Sequence, residues 1–141
     1  MTDKIVIYTD GACRGNPGPG GWGAIIIENN IETEIYGKEE NTTNNIMEMT
    51  AAIKALEFFK INKNIVLYTD SNYLKLGITN WIFSWKKNNW INSKREEVKN
   101  KSYWIVLDKL NNLHNIEWKW IKAHNGNKYN ERADKLATSA I

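Results

Sequence analysis

Four carboxylates stand where a folded chain would keep them only for a reason. Asp10 follows Tyr8-Thr9 and Asp70 follows Tyr68-Thr69, so two short runs of β-branched and aromatic residues end alike. At the carboxyl ends of parallel neighbours, strands lie ~4.8 Å apart, and two carboxylates there repel unless a cation sits between them. Chance could also give two strands ending in Asp. Glu48 falls early in an amphipathic segment, at the edge of the apolar stripe that holds Met49 and Ala52, where a lone glutamate is costly. Asp134 repeats the situation between Ala133 and Leu136-Ala137. Each of these two could instead merely favour the positive end of a helix. Four carboxylates above one sheet would form a site of hard oxygen ligands that selects Mg²⁺, with Mn²⁺ able to substitute. Two such ions ~3.5–4 Å apart are a known device for in-line displacement at a phosphodiester. Spacing alone does not make the four converge.

The elements that must position them follow from periodicity. Residues 4–9 predict a strand, and 11–23 a glycine-rich turn region containing Pro17 and Pro19. Residues 22–28 and 31–38 predict two strands around Asn29-Asn30, a pair suited to a hairpin. Residues 43–59 have helical spacing, with Met49, Ala52, Ile53 and Leu56 on one stripe and Thr42 or Thr43 as cap. A strand over 64–69 is followed by a helix over 71–81, weakened by Gly77, then by short helical pieces and a polar loop over 82–101. A helix over 101–113, a strand over 116–121 and a helix over 128–141 complete the order. Three strands can form an antiparallel meander, and the last two follow helical crossovers, so they would run parallel to the first strand or its neighbour. The expected fold class is α/β, a mixed five-stranded sheet flanked by helices.

A chain of 141 residues, 42% of them hydrophobic, is enough for one domain with a real core. The single cysteine, Cys13, excludes an internal disulfide and fits a reducing compartment. The start of the chain has no secretory pattern, and no apolar run approaches the ~20 residues of a membrane helix. A cytoplasmic protein with no membrane attachment is the expectation. The net charge of +3 is unevenly placed: residues 81–101 hold six basic and two acidic side chains, +4, leaving −1 for the rest. The same segment contains Trp81, Trp85 and Trp90, three of the seven tryptophans. Basic charge interleaved with flat aromatics suits a nucleic-acid backbone. The alternative is a solvated helix whose tryptophans pack inward.

At this point the residues resemble the type 1 ribonucleases H, from Lys4 to Ala137. The most specific motif is Thr9-Asp10-Gly11 followed by Gly15-Asn16-Pro17-Gly18-Pro19-Gly20, which lacks the Gly-Lys-Ser/Thr ending of a P-loop. The others are Thr42-Thr43-Asn44-Asn45-Ile46-Met47-Glu48, Thr69-Asp70-Ser71-Asn72, and Trp81-Ile82-Phe83-Ser84-Trp85-Lys86-Lys87, similar to the basic protrusion of bacterial enzymes. Lys122-Ala123-His124-Asn125-Gly126 and Asn130-Glu131-Arg132-Ala133-Asp134 complete the set. The resemblance implies a ribonuclease H-like fold and an endonuclease that cuts the RNA strand of an RNA–DNA hybrid, leaving 5′-phosphate and 3′-hydroxyl ends. It implies two Mg²⁺ ions on Asp10, Glu48, Asp70 and Asp134, and a mobile histidine at His124. Asn16, Asn44 and Asn45 would reach the minor groove, and Cys13, Arg14 and Gly15 with Glu48 and Asn72 would meet RNA 2′-hydroxyls. Thr43 would hold a DNA phosphate, and Trp81, Trp85, Lys86, Lys87, Trp90 and Lys99 would flank the DNA strand. A single domain over residues 1–141 acting as a monomer is expected, on RNA primers and R-loops. Asn72 stands where the family often has Gln, Asn41 where Arg is frequent, and Ser84 where Asn is common. Two alternatives stay open: a hybrid-binding module that does not cut, which the four carboxylates argue against, and a nuclease of the same fold acting on another nucleic acid.

Overall fold

In the computed structural model, which describes residues 4–141, the Asp10 and Asp70 segments lie side by side at the centre of a five-stranded sheet. The strands are β1 (Ile5–Cys13), β2 (Gly18–Glu28), β3 (Ile31–Thr42), β4 (Asn64–Thr69) and β5 (Asn115–Trp120), in the order β3-β2-β1-β4-β5. β1 pairs antiparallel with β2, and β2 with β3; β4 is parallel to β1, and β5 to β4. This is the expected mixed sheet. The helices are α1 (Asn44–Glu57), α2 (Asn72–Leu76), α3 (Ile82–Lys87), α4 (Lys101–Leu113) and α5 (Lys128–Ala140), with a π-helical turn, Gly77–Trp81, between α2 and α3.

The glycine-rich segment corrects the first expectation. It is strand rather than turn: β1 runs on to Cys13, β2 begins at Gly18, and only residues 14–17 form the connection. The cause is close packing. A Cβ on Gly11 would collide with the backbone nitrogen of Glu48, so glycine lets α1 lie directly on the strand. β3 likewise runs past residue 38 to Thr42, because the early start of β2 gives it a partner, across an irregularity between Gly18 and Gly20. Asn29 and Asn30 both take positive φ, as a tight hairpin requires.

Thr43, rather than Thr42, caps α1, accepting the Ile46 N–H at 3.2 Å, and the helix ends at Glu57, two residues short of the expected stop. The helix expected over 71–81 is α2 followed by the π-helical turn, and α3 continues it. Gly77 marks a contact rather than a weakness, since a Cβ there would overlap the Trp104 indole of α4. α1, α2 and α4 cover one face of the sheet, where Ile5, Ile7, Met49, Leu56, Leu67 and Trp104 form the core. Each fully buried aliphatic of this kind contributes ~1.5–3 kcal/mol. α5 lies on β1, β2 and β3. Among the described residues no helix is long and apolar enough to cross a membrane.

Candidate active site

Parallel pairing of β1 with β4 keeps Thr9 opposite Thr69, so the next residue of each chain, Asp10 and Asp70, leaves the shared register together. The strands then part. β1 continues against β2, with Asp10 opposite Gly23, while β4 stops and the chain turns into α2, where Ser71 caps by accepting the Leu74 N–H at 3.1 Å. That parting opens the space that the carboxylates fill. Glu48 enters it from the first turns of α1, above Gly11.

One carboxylate oxygen from each of Asp10, Glu48 and Asp70 lies within 4.8 Å of the other two. Asp10 is 4% exposed and Glu48 5%. Asp70 is half-buried; its Oδ2 accepts from Asn130 Nδ2 at 3.3 Å, and its carbonyl accepts from Trp120 Nε1 at 3.0 Å. Asp134, half-buried on α5, stands outside this tight group but close enough to Asp10 to act on its ionisation. Three of the four expected ligands are thus drawn together and the fourth flanks them.

Burial, then the negative charge of Asp70, pushes the Asp10 carboxyl from 3.8 up to about 8, with Asp134 adding to the rise and the Gly11 N–H, 2.9 Å from Oδ1, opposing it. Burial, then Asp10 and Asp70, holds the Glu48 carboxyl well above its ordinary 4.5. Glu48 Oε1 is buried with no hydrogen-bond partner among the described residues. Crowded oxygens, an unpartnered one among them, fit a hard divalent cation, which would supply the charge that the protein withholds.

The remaining residues singled out from the sequence fall into three groups. Around the 14–17 connection, the Cys13 thiol turns inward to the Gly18 and Thr42 carbonyls at 3.5 and 3.4 Å, while Arg14, Gly15 and Asn16 are exposed. Asn16 Oδ1 accepts the Asn44 N–H at 3.0 Å, which joins this connection to the start of α1, where Thr43 and Asn45 are half-buried. Asn72 is exposed at the start of α2. Asn44 and Asn45 precede Glu48 on α1, and Asn72 follows Asp70 by two positions.

The second group is the protrusion. Trp85 and Trp90 are half-buried; Trp85 packs on Trp104 at 5.4 Å and on Trp90 at 6.4 Å, so these two rings turn partly inward, whereas Trp81 is 36% exposed. Trp81, Trp85 and Lys87 line a groove of about 760 Å³ together with Ser84, Asn88 and Asn92. Lys86 is paired with Asp108 of α4 at 3.1 Å, a partner the sequence did not suggest, and Lys101 with Glu97 at 3.9 Å. Lys87 and Lys99 are exposed. His124, the third element, is exposed on the 122–127 loop with φ of 55°.

Asn130 belongs to the site as well, although nothing in its motif singles it out as a site residue. It is buried and it holds Asp70; its place four residues before Asp134, on the same helix face, is the signal the sequence offers.

Comparison with known proteins agrees with this geometry. The RNase H family model matches residues 2–141. The ribonuclease H of Wolbachia pipientis wMel is 56% identical over 138 residues, covering 98% of this chain and 95% of that one. That of Francisella tularensis subsp. novicida U112 is 53% identical over 139 residues, covering 99% and 91%. Among solved structures, LC9-RNase H1, described as a type 1 RNase H with the type 2 active-site motif, superposes with a TM-score of 0.87 at 28% identity, covering 99% of this chain and 72% of that one. LC11-RNase H1, solved in complex with an RNA/DNA hybrid, gives 0.69 at 27% identity, covering 97% and 96%. A sheet that parts at two aspartates, a buried glutamate aimed at the gap and near-complete alignment with these proteins lead to one assignment: the chain belongs to the RNase H family.

Proposed function

We propose that this protein is an endonuclease that hydrolyses the RNA strand of RNA–DNA hybrids by two-metal-ion catalysis, leaving 5′-phosphate and 3′-hydroxyl ends. The carrying observation is the buried group of Asp10, Glu48 and Asp70, with an unpartnered Glu48 oxygen and Asp134 beside it. Asp10 and Glu48, whose carboxyl pKa values are raised by burial and by their acidic neighbours, would hold Mg²⁺ with Asp70 and Asp134; Mn²⁺ could replace it. When bound, such ions supply Lewis acidity toward the attacking water and the departing 3′ oxygen.

The protein's own residues do the rest. Asn130 holds Asp70 toward the group, and Gly11 holds Asp10. The Arg14–Asn16 connection, Asn44, Asn45 and Asn72 present polar groups to a wide, shallow minor groove, where 2′-hydroxyls on one strand mark it as RNA. Base edges there carry a largely degenerate pattern, so little sequence preference follows. Trp81, Lys87 and Lys99 meet the deoxy strand. His124, on an exposed loop ending at α5, moves a proton near the scissile phosphate or assists product release. The family's hybrid-bound relative, LC11-RNase H1, supports the choice of substrate. The reading includes a single catalytic domain over residues 1–141, active as a monomer in the cytoplasm.

Cleavage of end-labelled hybrid, duplex RNA and duplex DNA, with Mg²⁺ and with chelator, tests it. Hybrid alone should be cut, in its RNA strand and only with the metal. Tight hybrid binding without cleavage would establish a binding module, and cleavage of duplex DNA a nuclease of different specificity.

A further inference from the structure

Tyr8 and Tyr68 each precede a carboxylate of the site by two residues, which places each tyrosine one pleat before Asp10 or Asp70 on the same sheet face. The β1–β4 register sets them side by side, rings 4.8 Å apart and 10° from parallel. A third ring, Tyr129 from the first turn of α5, stacks on Tyr8 at 5.0 Å and 24°. The Tyr129 hydroxyl donates to Glu32 of β3 at 3.2 Å. Arg132 donates to the same Glu32 at 2.7 Å and to Glu34 at 2.8 Å, with its guanidinium 5.6 Å from the Tyr129 ring. A chain of contacts therefore runs from β4 through β1 and the start of α5 to the edge strand β3.

Beneath α5 the packing is mostly of small residues, with the half-buried Leu136 and the Asn130 bond to Asp70 beside them. The apolar side chains it buries completely are Ala133 and Ala137, and they rest on the glycines of β2: a Cβ on Gly23 would lie 2.6 Å from Leu136 Cβ and 2.9 Å from the Ala133 carbonyl oxygen. Alanines on glycines offer no large knobs to interdigitate, so apolar packing alone defines the axial position weakly. Yet α5 carries both Asn130, which holds Asp70, and Asp134. Asp134 stands outside the tight group, so its distance from Asp10 depends on where the helix lies and not on a strand register.

We propose that the Tyr68–Tyr8–Tyr129 stack and the Arg132–Glu32/Glu34 pairs form a positioning clamp that fixes α5 along its axis and so sets Asp134 against Asp10, Glu48 and Asp70 for cation binding. The clamp rests on the two-metal reading above. Tyr8, Tyr68, Tyr129 and Arg132 are positioning residues in it, and the hybrid is not among their contacts.

The test compares Tyr129→Leu, Tyr129→Phe and Arg132→Met in the full chain, with Asp10→Asn as control. Mg²⁺ binding to the free protein is read by calorimetry, and hybrid cleavage against Mg²⁺ concentration in parallel. Tyr129→Leu should weaken Mg²⁺ binding by about tenfold, the scale on which groups supporting metal ligands act. It should lower kcat at subsaturating metal while leaving KM for hybrid within about twofold, because no hybrid contact is removed. Tyr129→Phe keeps the stack and should restore most of the loss. Arg132→Met is the sharper variant and covers the case in which Tyr129→Leu does not fold. Removing a cation from the helix of Asp134 would by charge alone tighten Mg²⁺ binding, whereas a loosened clamp weakens it. Wild-type or tighter Mg²⁺ binding in Arg132→Met, or wild-type binding in a folded Tyr129→Leu, overturns the clamp while Asp10→Asn still abolishes cleavage. Full cleavage and Mg²⁺ binding in Asp10→Asn would instead remove the two-metal reading, and the clamp with it.

Discussion

Replacing Asp10 with asparagine should stabilise the metal-free protein while removing nearly all cleavage. In the folded chain the Asp10 carboxyl titrates at about 8, against 3.8 for an ordinary aspartate, chiefly through burial and the charge of Asp70. A group whose folded pKa is raised contributes its full stability below the unfolded value, and loses it as pH rises from there through the folded value. At ~1.4 kcal/mol per pH unit, the interval between 3.8 and pH 7 amounts to a penalty of about 4 kcal/mol at neutral pH. Asparagine does not titrate. Its Oδ1 can keep the Gly11 N–H now at 2.9 Å, and its amide N–H groups can donate to the Glu48 and Asp70 carboxylates. Asp70 is half-exposed, so water relieves part of the wild-type penalty, and a net gain of about 1–4 kcal/mol is expected. For a chain of this size that is a rise in Tm of roughly 3–15 °C. Thermal and urea unfolding in chelator from pH 4 to 8 would show the wild type weakening toward pH 8 and the variant much less so, with the two converging at the acid end. Saturating Mg²⁺ should then stabilise the wild type by linkage and the variant little. A variant no more stable than wild type in chelator at pH 7–8 would refute the electrostatic account. Cleavage above a few per cent of wild type in Mg²⁺ would refute the role given to Asp10.

Lys87→Ala should flatten the dependence of hybrid affinity on salt by up to ~0.9 log units on a B-DNA scale, and Lys86→Ala by less, because Lys86 is already paired with Asp108. Equal slopes for both single variants would show that this pairing does not hold on the hybrid. His124→Ala should lower kcat by roughly 10- to 100-fold, at or below the low end of general acid–base catalysis, with activity still metal-dependent. Lost Mg²⁺ binding in that variant would make His124 a ligand, and an unchanged kcat and pH profile a bystander. Burial holds the His114 pKa below 6.5, and its Nδ1 accepts the Lys63 N–H at 3.1 Å, so stability from this residue is full above pH 6.5 and declines as pH falls below it. Urea unfolding from pH 7.5 to 5.5 should show that decline in the Asp10→Asn/Glu48→Gln background and not after His114→Gln is added.

The parts of the site that are legible in the sequence are those fixed by short-range rules. Parallel strands place like positions side by side, so once β1 and β4 pair, the repeated Tyr-Thr-Asp endings set Asp10 beside Asp70. Glu48 shows itself by its place at the edge of an apolar stripe. What depends on a distant element is not legible. The glycines from Gly11 to Gly23 read as a turn because glycine is a turn former, but only Gly15 lies in the connection; Gly11, Gly20, Gly21 and Gly23 are strand residues kept small by the helices lying on them. The inward lean of Trp85 depends on Trp104, nineteen positions later, and the engagement of Lys86 on Asp108, twenty-two positions later. Asp134 can be named a ligand from its motif, yet its distance from the other three is a matter of how α5 lies on β2.

The energetics of the site bear on why the fold keeps it. Glu48 and Asp10 are buried with no compensating positive side chain among the described residues, an arrangement that weakens the folded state at neutral pH. An arginine or lysine beside them would relieve the strain and also occupy the place of the cation. On the metal-binding reading, that place is left to protons and divalent ions, which would compete for the same oxygens. A cation would compete with a proton at Asp10, whose carboxyl is pushed up to about 8, so its affinity would rise with pH over the range in which the metal-free protein weakens. Instability and metal binding would then be two expressions of one set of repulsions. The aliphatic core beneath α1, from Ile5 and Ile7 to Leu67, is what allows the fold to hold those charges together.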